Sequence, residues 1–321
     1  WKMASQQGRI VSSHLSISGR SKAFNYYLSA DLSKENGLIF NDDQKRTSFR
    51  LNVSTKITEW WNVGLNAMFS QRNLSGKNAS LYDAYRNSPY GTWFYDDGQP
   101  TQYPVAEEQA SVNPLRDAML TDNEEIFNNL FTNIYMELKA PFIKGLEYRI
   151  NFSPNYIWQH NYNFYRQDLH MPGTNTTWAS KFNQQNHDWT VENILTYKKA
   201  INADHAFDLT LMYGRNHYGF ESTTAKADKL NSALLGYNNL GLGSIFTNSS
   251  QAEASEGIST MARLNYQFAK KYFLTLTARR DASSVFAANH KHATFPSAAF
   301  AWMLSDESFL KDVKFIDMMK F

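Results

Sequence analysis

Apolar and polar residues alternate one for one in segment after segment of this chain, and the gaps between segments alternate short and long. Phe24, Tyr26, Leu28, Ala30 and Leu32 interleave with Asn25, Tyr27, Ser29, Asp31 and Ser33. Phe49, Leu51, Val53 and Ile57 do the same against Ser48, Arg50, Asn52, Ser54 and Lys56. A period of two gives a β-strand one apolar face and one wet face. Short turns at one end and long loops at the other are the layout of an up-and-down transmembrane β-barrel, with the long loops extracellular. The fold class is therefore all-β and antiparallel.

The pattern predicts about eleven strands of roughly 9–11 residues, the length that crosses a bilayer at barrel tilt. Three long excursions interrupt it, over about 71–125, 154–187 and 215–256, and the first holds Pro89, Pro100, Pro104 and Pro114. Loops of that length are uncommon in compact domains and are often functional. A helical turn is expected around Leu81, Tyr82 and Tyr85.

Composition narrows the function. Among 321 residues, 42% are apolar, yet no run is long enough for a membrane-spanning helix. Alternation hides a lipid-facing surface from hydropathy averaging, so a membrane barrel stays open. Aromatics reach 15%, which suits the interfacial girdles of a barrel. A net charge of +2 gives no concentrated basic face for nucleic acid. The absence of Cys removes thiol catalysis, disulfides and Cys-based zinc sites. The chain begins at Trp1 without a signal peptide, and an odd strand count does not close a bacterial barrel. Both features suggest a portion of a longer protein.

No sequence motif of a P-loop, a Gly-x-Ser-x-Gly elbow or a zincin is present, so no catalytic residue is assigned. His290-Lys291-His292 would place two imidazoles on one strand face, but no carboxylates accompany them and Lys291 would repel a cation, so no metal site is assigned. Asp96-Asp97-Gly98 reads as an ordinary turn rather than a calcium segment.

Several segments resemble the barrel of SusC/RagA-type TonB-dependent outer-membrane transporters. They are Asn113-Pro114-Leu115, the run Arg280-Asp281-Ala282-Ser283-Ser284-Val285-Phe286, and Phe295-Pro296-Ser297-Ala298-Ala299-Phe300-Ala301-Trp302. The last is followed by Leu304-Ser305-Asp306-Glu307-Ser308-Phe309-Leu310. Ala282 and Ala287 stand where the family prefers Gly, and Val285 where Arg is common. The resemblance implies a multi-pass protein of a Gram-negative outer membrane, with an intact barrel of about 22 strands whose lumen is plugged. Residues 1–321 would be part of that barrel, with the N-terminal plug and the C-terminal strands outside the chain. It implies energised import of glycans or oligopeptides, driven by the TonB complex through the plug, with a SusD-like surface lipoprotein as partner and no cofactor. A passive porin, an outer-membrane barrel enzyme and a soluble β-module are the rival readings.

Two sets of candidate residues follow. Tyr90, Trp93, Phe94, Tyr95, Trp158, Tyr165 and Trp178 fall in the expected long loops. Flat aromatics beside amides can stack on a sugar while the amides bind its hydroxyls. The plainer alternative is loop packing or an extracellular girdle. Arg50, Glu147, Arg149, Glu192 and Arg263 fall on the wet side of their strands, where charges line a lumen, contact a plug or are solvated wall.

Overall fold

The computed structural model describes residues 2–171, 173–310 and 315–321. Eleven strands form one sheet in which every strand pairs antiparallel with its sequence neighbours, in the order β1 to β11. They are β1 (Arg9–Arg20), β2 (Phe24–Asn36), β3 (Asp43–Lys56), β4 (Trp61–Asn73), β5 (Thr121–Lys139), β6 (Leu146–Tyr165), β7 (Trp178–Ala200), β8 (His205–Asp228), β9 (Ile245–Phe268), β10 (Tyr272–Ser283) and β11 (His292–Trp302). The strand number matches the expectation from alternation.

Strand length does not. β5 to β9 run 19 to 24 residues, so the excursions expected over 154–187 and 215–256 are mostly strand, and only 166–177 and 229–244 connect them. The reason is solvation. A strand that crosses lipid needs one apolar face, but its extension into water does not. Asn155 pairs with Asp188, Gln159 with Gln184, and Thr223 with Ser250, so the backbone ladder continues after the amphipathic pattern has ended. Smaller differences occur in β11, where His292 opens the strand but His290 lies in the preceding turn, so the two imidazoles do not share a strand face.

The register assigns the faces. Leu28, Leu51, Ala67 and Ile134 lie on one side, together with Leu15, Phe49, Phe69 and Leu130. Many of these side chains stay open to the surroundings, Leu15 at 75% and Phe49 at 50%. An exposed apolar belt of this extent on a strand surface is lipid-facing. The opposite side carries Asn52, Asn66, Asn133 and Ser153, and cross-strand hydrogen bonds stitch it together.

The first excursion is real and has its own core. Helix α1 (Leu81–Arg86) confirms the expected helical turn; the Ser80 hydroxyl caps it by accepting from the Asp83 N–H. A second helix, α2 (Arg116–Leu120), leads into β5. Ala79, Ala84, Leu115 and Ala118 pack with Ala4, and Ile39, Phe40 and Phe94 close around them. Asn113 and Pro114 are among the largest fully buried side chains. The Asn113 Nδ2 donates to the Trp93 carbonyl at 2.6 Å and to the Thr101 hydroxyl at 3.3 Å, while its Oδ1 accepts the Leu115 N–H at 3.0 Å. The Asn113-Pro114-Leu115 segment is thus the lock that holds the excursion's own fold together.

The connection 229–244 folds the other way. Leu230 packs on Phe164, Ala179 and Ala227 on the apolar side of the extended strands, with Tyr237 and Leu240 beside it. Short turns close the opposite end of the barrel wall; in one of them Ala269 and Lys270 both take positive φ, at 50° and 58°.

Candidate functional site

All five charged candidates lie on the wet face. Arg149 forms an ion pair with Glu137 and stacks over the Tyr135 ring at 4.3 Å. Its Nε donates to Asn151 at 2.8 Å, and Asn151 donates on to Glu192 at 3.4 Å. These residues form a continuous polar ladder across β5, β6 and β7. Glu147 sits at the same register level as Lys139 and Thr196. Arg50 reaches only the Met68 sulfur at 3.9 Å, and Arg263 donates to the Thr277 hydroxyl at 3.2 Å. Neither arginine has a carboxylate partner among the described residues. The sequence-based choice brings together Arg149 and Glu192 but leaves Arg50 and Arg263 far along the wall.

The aromatic candidates divide. Tyr90 is 95% exposed at the excursion's tip, whereas Phe94 packs on the excursion's core and pairs with Pro100 in a short bridge. Trp93 supplies the carbonyl that Asn113 holds. Tyr95 stacks on His170 with centroids 3.5 Å apart, and His170 also meets Asp97 at 2.9 Å, which clasps the excursion to the connection 166–177. Asp97 and Gly98 form a turn there, as the sequence suggested. The Asp97 carboxyl is held below the ordinary range chiefly by the Gln99 N–H, against the opposing effect of burial, with His170 adding to the depression.

Trp158, Tyr165 and Trp178 are strand residues, not loop residues, because β6 and β7 continue beyond the lipid. Trp158 points to the apolar side, beside Tyr156 at 5.1 Å and Phe69 at 6.1 Å, in the position of an interfacial girdle. Tyr165 and Trp178 point to the wet side. They are register partners, and their rings lie 5.9 Å apart at 9°.

Two adjoining clefts meet at this pair. One, of about 440 Å³, is lined by Lys77, Gln102, Arg116, Asp117, Tyr165 and Trp178 among others. The second, of about 620 Å³, shares Lys77, Asn163 and Trp178 and continues over Glu35, Gln44, Asn123 and Glu125. Arg116 binds Asp168 at 2.6 Å, and the Asp168 side chain is only 3% exposed. The Arg116 guanidinium also lies 5.7 Å from the Tyr165 ring centre. The Tyr165 hydroxyl and Arg116 Nε are buried without a hydrogen-bond partner. Burial pushes the Tyr165 phenol up to about 12, only partly opposed by Arg116. The phenol therefore stays protonated, its oxygen buried beside the Arg116 guanidinium behind the cleft wall. Chemically, the clefts offer an aromatic pair and a set of amides, groups suited to recognition.

No protein-family model matches the chain. The TonB-dependent receptor P3 of Formosa agariphila is 30% identical over 328 residues, covering 98% of this chain and 32% of that receptor. The TonB-dependent receptor SusC of Bacteroides thetaiotaomicron is 22% identical, covering 96% of this chain and 32% of that receptor. The structure of the RagAB peptide transporter aligns with a TM-score of 0.79 at 19% identity, over 94% of this chain and 34% of that chain. Over nearly all of its length, this chain is similar to the SusC/RagA-type TonB-dependent receptors. It spans about a third of the length of the curated relatives it matches. Its eleven-stranded sheet is accordingly a partial barrel wall, with the polar side toward the lumen and the apolar side toward lipid.

Several cleft residues carry no mark in the sequence pattern. Arg116 and Asp117 follow the Asn113-Pro114-Leu115 segment directly, and that adjacency was an available signal. Lys77, Gln102 and Asn163 carried none, since nothing in an isolated sequence brings them to Trp178.

Proposed function

We propose that this chain forms part of the wall of an outer-membrane transporter that imports oligosaccharides or oligopeptides, and that the twin clefts around Tyr165 and Trp178 capture ligand at its extracellular end. The observation that carries this reading is a flat aromatic stack, Tyr165 on Trp178, set between two polar clefts on the wet side of the wall. Asn163, Asn123, Asn161 and Gln102 surround it with amide donors and acceptors. Hydroxyl-rich or amide-rich ligands match that surface, because each polar atom lost from water regains a partner. The names of the relatives support import: SusC is a TonB-dependent receptor, and RagAB is a peptide transporter. Energy would enter from the TonB complex through a plug supplied outside these residues, and a SusD-like lipoprotein would cover the extracellular mouth. The wall itself does no covalent chemistry.

Trp178→Ala in the full-length protein tests this assignment. Removing the stacking face is expected to weaken ligand capture by roughly tenfold, the scale of about 1 kcal/mol for one aromatic contact. Binding of candidate glycans and peptides would be measured by calorimetry, with uptake measured in cells. Unchanged affinity for every transported ligand would remove the clefts from the function.

A further inference from the structure

The lipid-facing side carries a cationic cluster that the import function does not use. Lys34 and Lys45 are direct register partners on β2 and β3, and Arg9 on β1 lies diagonally beside Lys34, opposite Asn36. All three side chains are exposed. They share the face of Val11, Leu32 and Phe49, not the lumenal face. None has an ion-pair partner among the described residues. The acidic neighbour on the same face, Asp43, accepts the Asn36 amide at 2.7 Å and the Gln6 amide at 3.3 Å, and the three cations outnumber it. Like charges placed directly opposite each other destabilise a sheet unless an anion joins them.

Depth identifies the anion. From Phe24 to Lys34 the strand rises about 33 Å, or about 25 Å along the membrane normal at barrel tilt. The same count separates Lys45 from Thr55 and Arg9 from Gly19. That height matches the apolar band of an outer-membrane barrel, so the three cations stand at its upper edge. The side is extracellular, because the long excursion 74–120 leaves from the same end. We infer that Arg9, Lys34 and Lys45 form a binding site for the phosphate groups of an anionic glycolipid in the outer leaflet. The three cations stand on adjacent strands of one face, and a lipid phosphate drawn between them removes the repulsion while the lipid's acyl chains lie on Val11, Leu15, Leu32 and Phe49. The inference rests on the wall's apolar side facing lipid, and failure of that premise would show separately, as failure of the protein to enter a bilayer at all.

The test uses the full-length protein in nanodiscs of neutral lipid, titrated with phosphorylated lipid A and read by native mass spectrometry. The unaltered protein is expected to retain the phosphorylated glycolipid, and the combined R9Q, K34Q and K45Q variant to retain roughly tenfold less or lower still. Its heat-modifiable gel mobility should be unchanged, since the substitutions relieve repulsion. K198Q with K199Q, at the opposite rim, is expected to leave retention intact. Equal retention by the triple variant, or equal retention of the dephosphorylated glycolipid, would overturn the assignment. Displacement by millimolar inorganic phosphate would also overturn it, by showing a site for free anions rather than for lipid.

Discussion

Replacing Asn113 by Ala should release the excursion over the lumen without dissolving the wall. Asn113 is 1% exposed, so no water waits to replace its hydrogen bonds. The Trp93 carbonyl keeps a second donor, the Thr101 N–H at 3.1 Å, and loses only part of its coordination. The Leu115 N–H, bonded to Asn113 Oδ1 at 3.0 Å, is left with nothing, and Leu115 is itself buried. One lost hydrogen bond costs about 1 kcal/mol, and a buried orphaned donor costs about 1–3 kcal/mol more. The excursion's opening free energy should therefore fall by about 2–4 kcal/mol.

Hydrogen exchange resolves such local opening, where thermal melting of a barrel would not. Amides of residues 80–87 and 113–120 should exchange roughly thirtyfold to several hundredfold faster. The paired amides of β3 and β4 should keep their protection, because their ladder does not depend on Asn113. Asn113→Asp sharpens the experiment. It preserves the acceptor for Leu115 but turns an oxygen toward the Trp93 carbonyl and buries a charge. It should open the excursion at least as much as Ala does. Full protection of the excursion in either variant would refute the locking role.

Two further perturbations act at the opposite rim. Glu307 accepts from the Tyr272 hydroxyl at 2.6 Å, the Trp302 indole at 3.1 Å and the Lys271 ammonium at 3.2 Å, and these bonds, Tyr272 first, hold its carboxyl below the usual range. A depressed carboxyl stabilises the fold above its unfolded value and loses that contribution as pH falls through its folded value, so the clasp should loosen below about pH 4. A Trp302 fluorescence change in that range that Glu307→Gln abolishes would bear this out; an identical titration in the variant would exclude it. In the β9–β10 turn, Lys270 occupies a left-handed conformation at φ 58° that favours glycine. Lys270→Gly should stabilise the wall by about 0.5–1 kcal/mol, raising the temperature at which the folded gel band is lost, and a lowered temperature would contradict it.

The sequence was readable where the environment is asymmetric. Leu28 and Ser29 face lipid and water respectively, so alternation reports the pairing that joins them to Leu51 and Arg50. Above the lipid the two faces see the same solvent. Thr223, Ser249 and Ser250 lie within paired strands yet show no apolar period, and a loop is the natural reading of such a segment. Trp158 shows the consequence for the site: assigned to a loop, it looked like a ligand platform, whereas strand continuity places it on the girdle side beside Phe69. Trp178 lay in the same expected loop, and strand register instead turns it to the lumen against Tyr165.

Parity is thus the quantity that decides function in this wall. Tyr165 and Phe164 are adjacent and both buried, yet Phe164 supports the connection 229–244 on the outer side while Tyr165 lines a cleft on the inner side. A one-residue slip of β6 against β7 would exchange them and set Phe164 in place of Tyr165 against Trp178. The length of the ladder guards against that slip: β6 and β7 remain in one register from Leu146–Tyr197 to Tyr165–Trp178. Within the lipid, that slip would drive Arg149 into hydrocarbon, at a cost of about 2–4 kcal/mol for a basic residue at mid-depth. The membrane-crossing half therefore fixes the register, and the extracellular half, which has no hydrophobic preference of its own, inherits it. The clefts at the top are placed by side chains some ten or more residues below them.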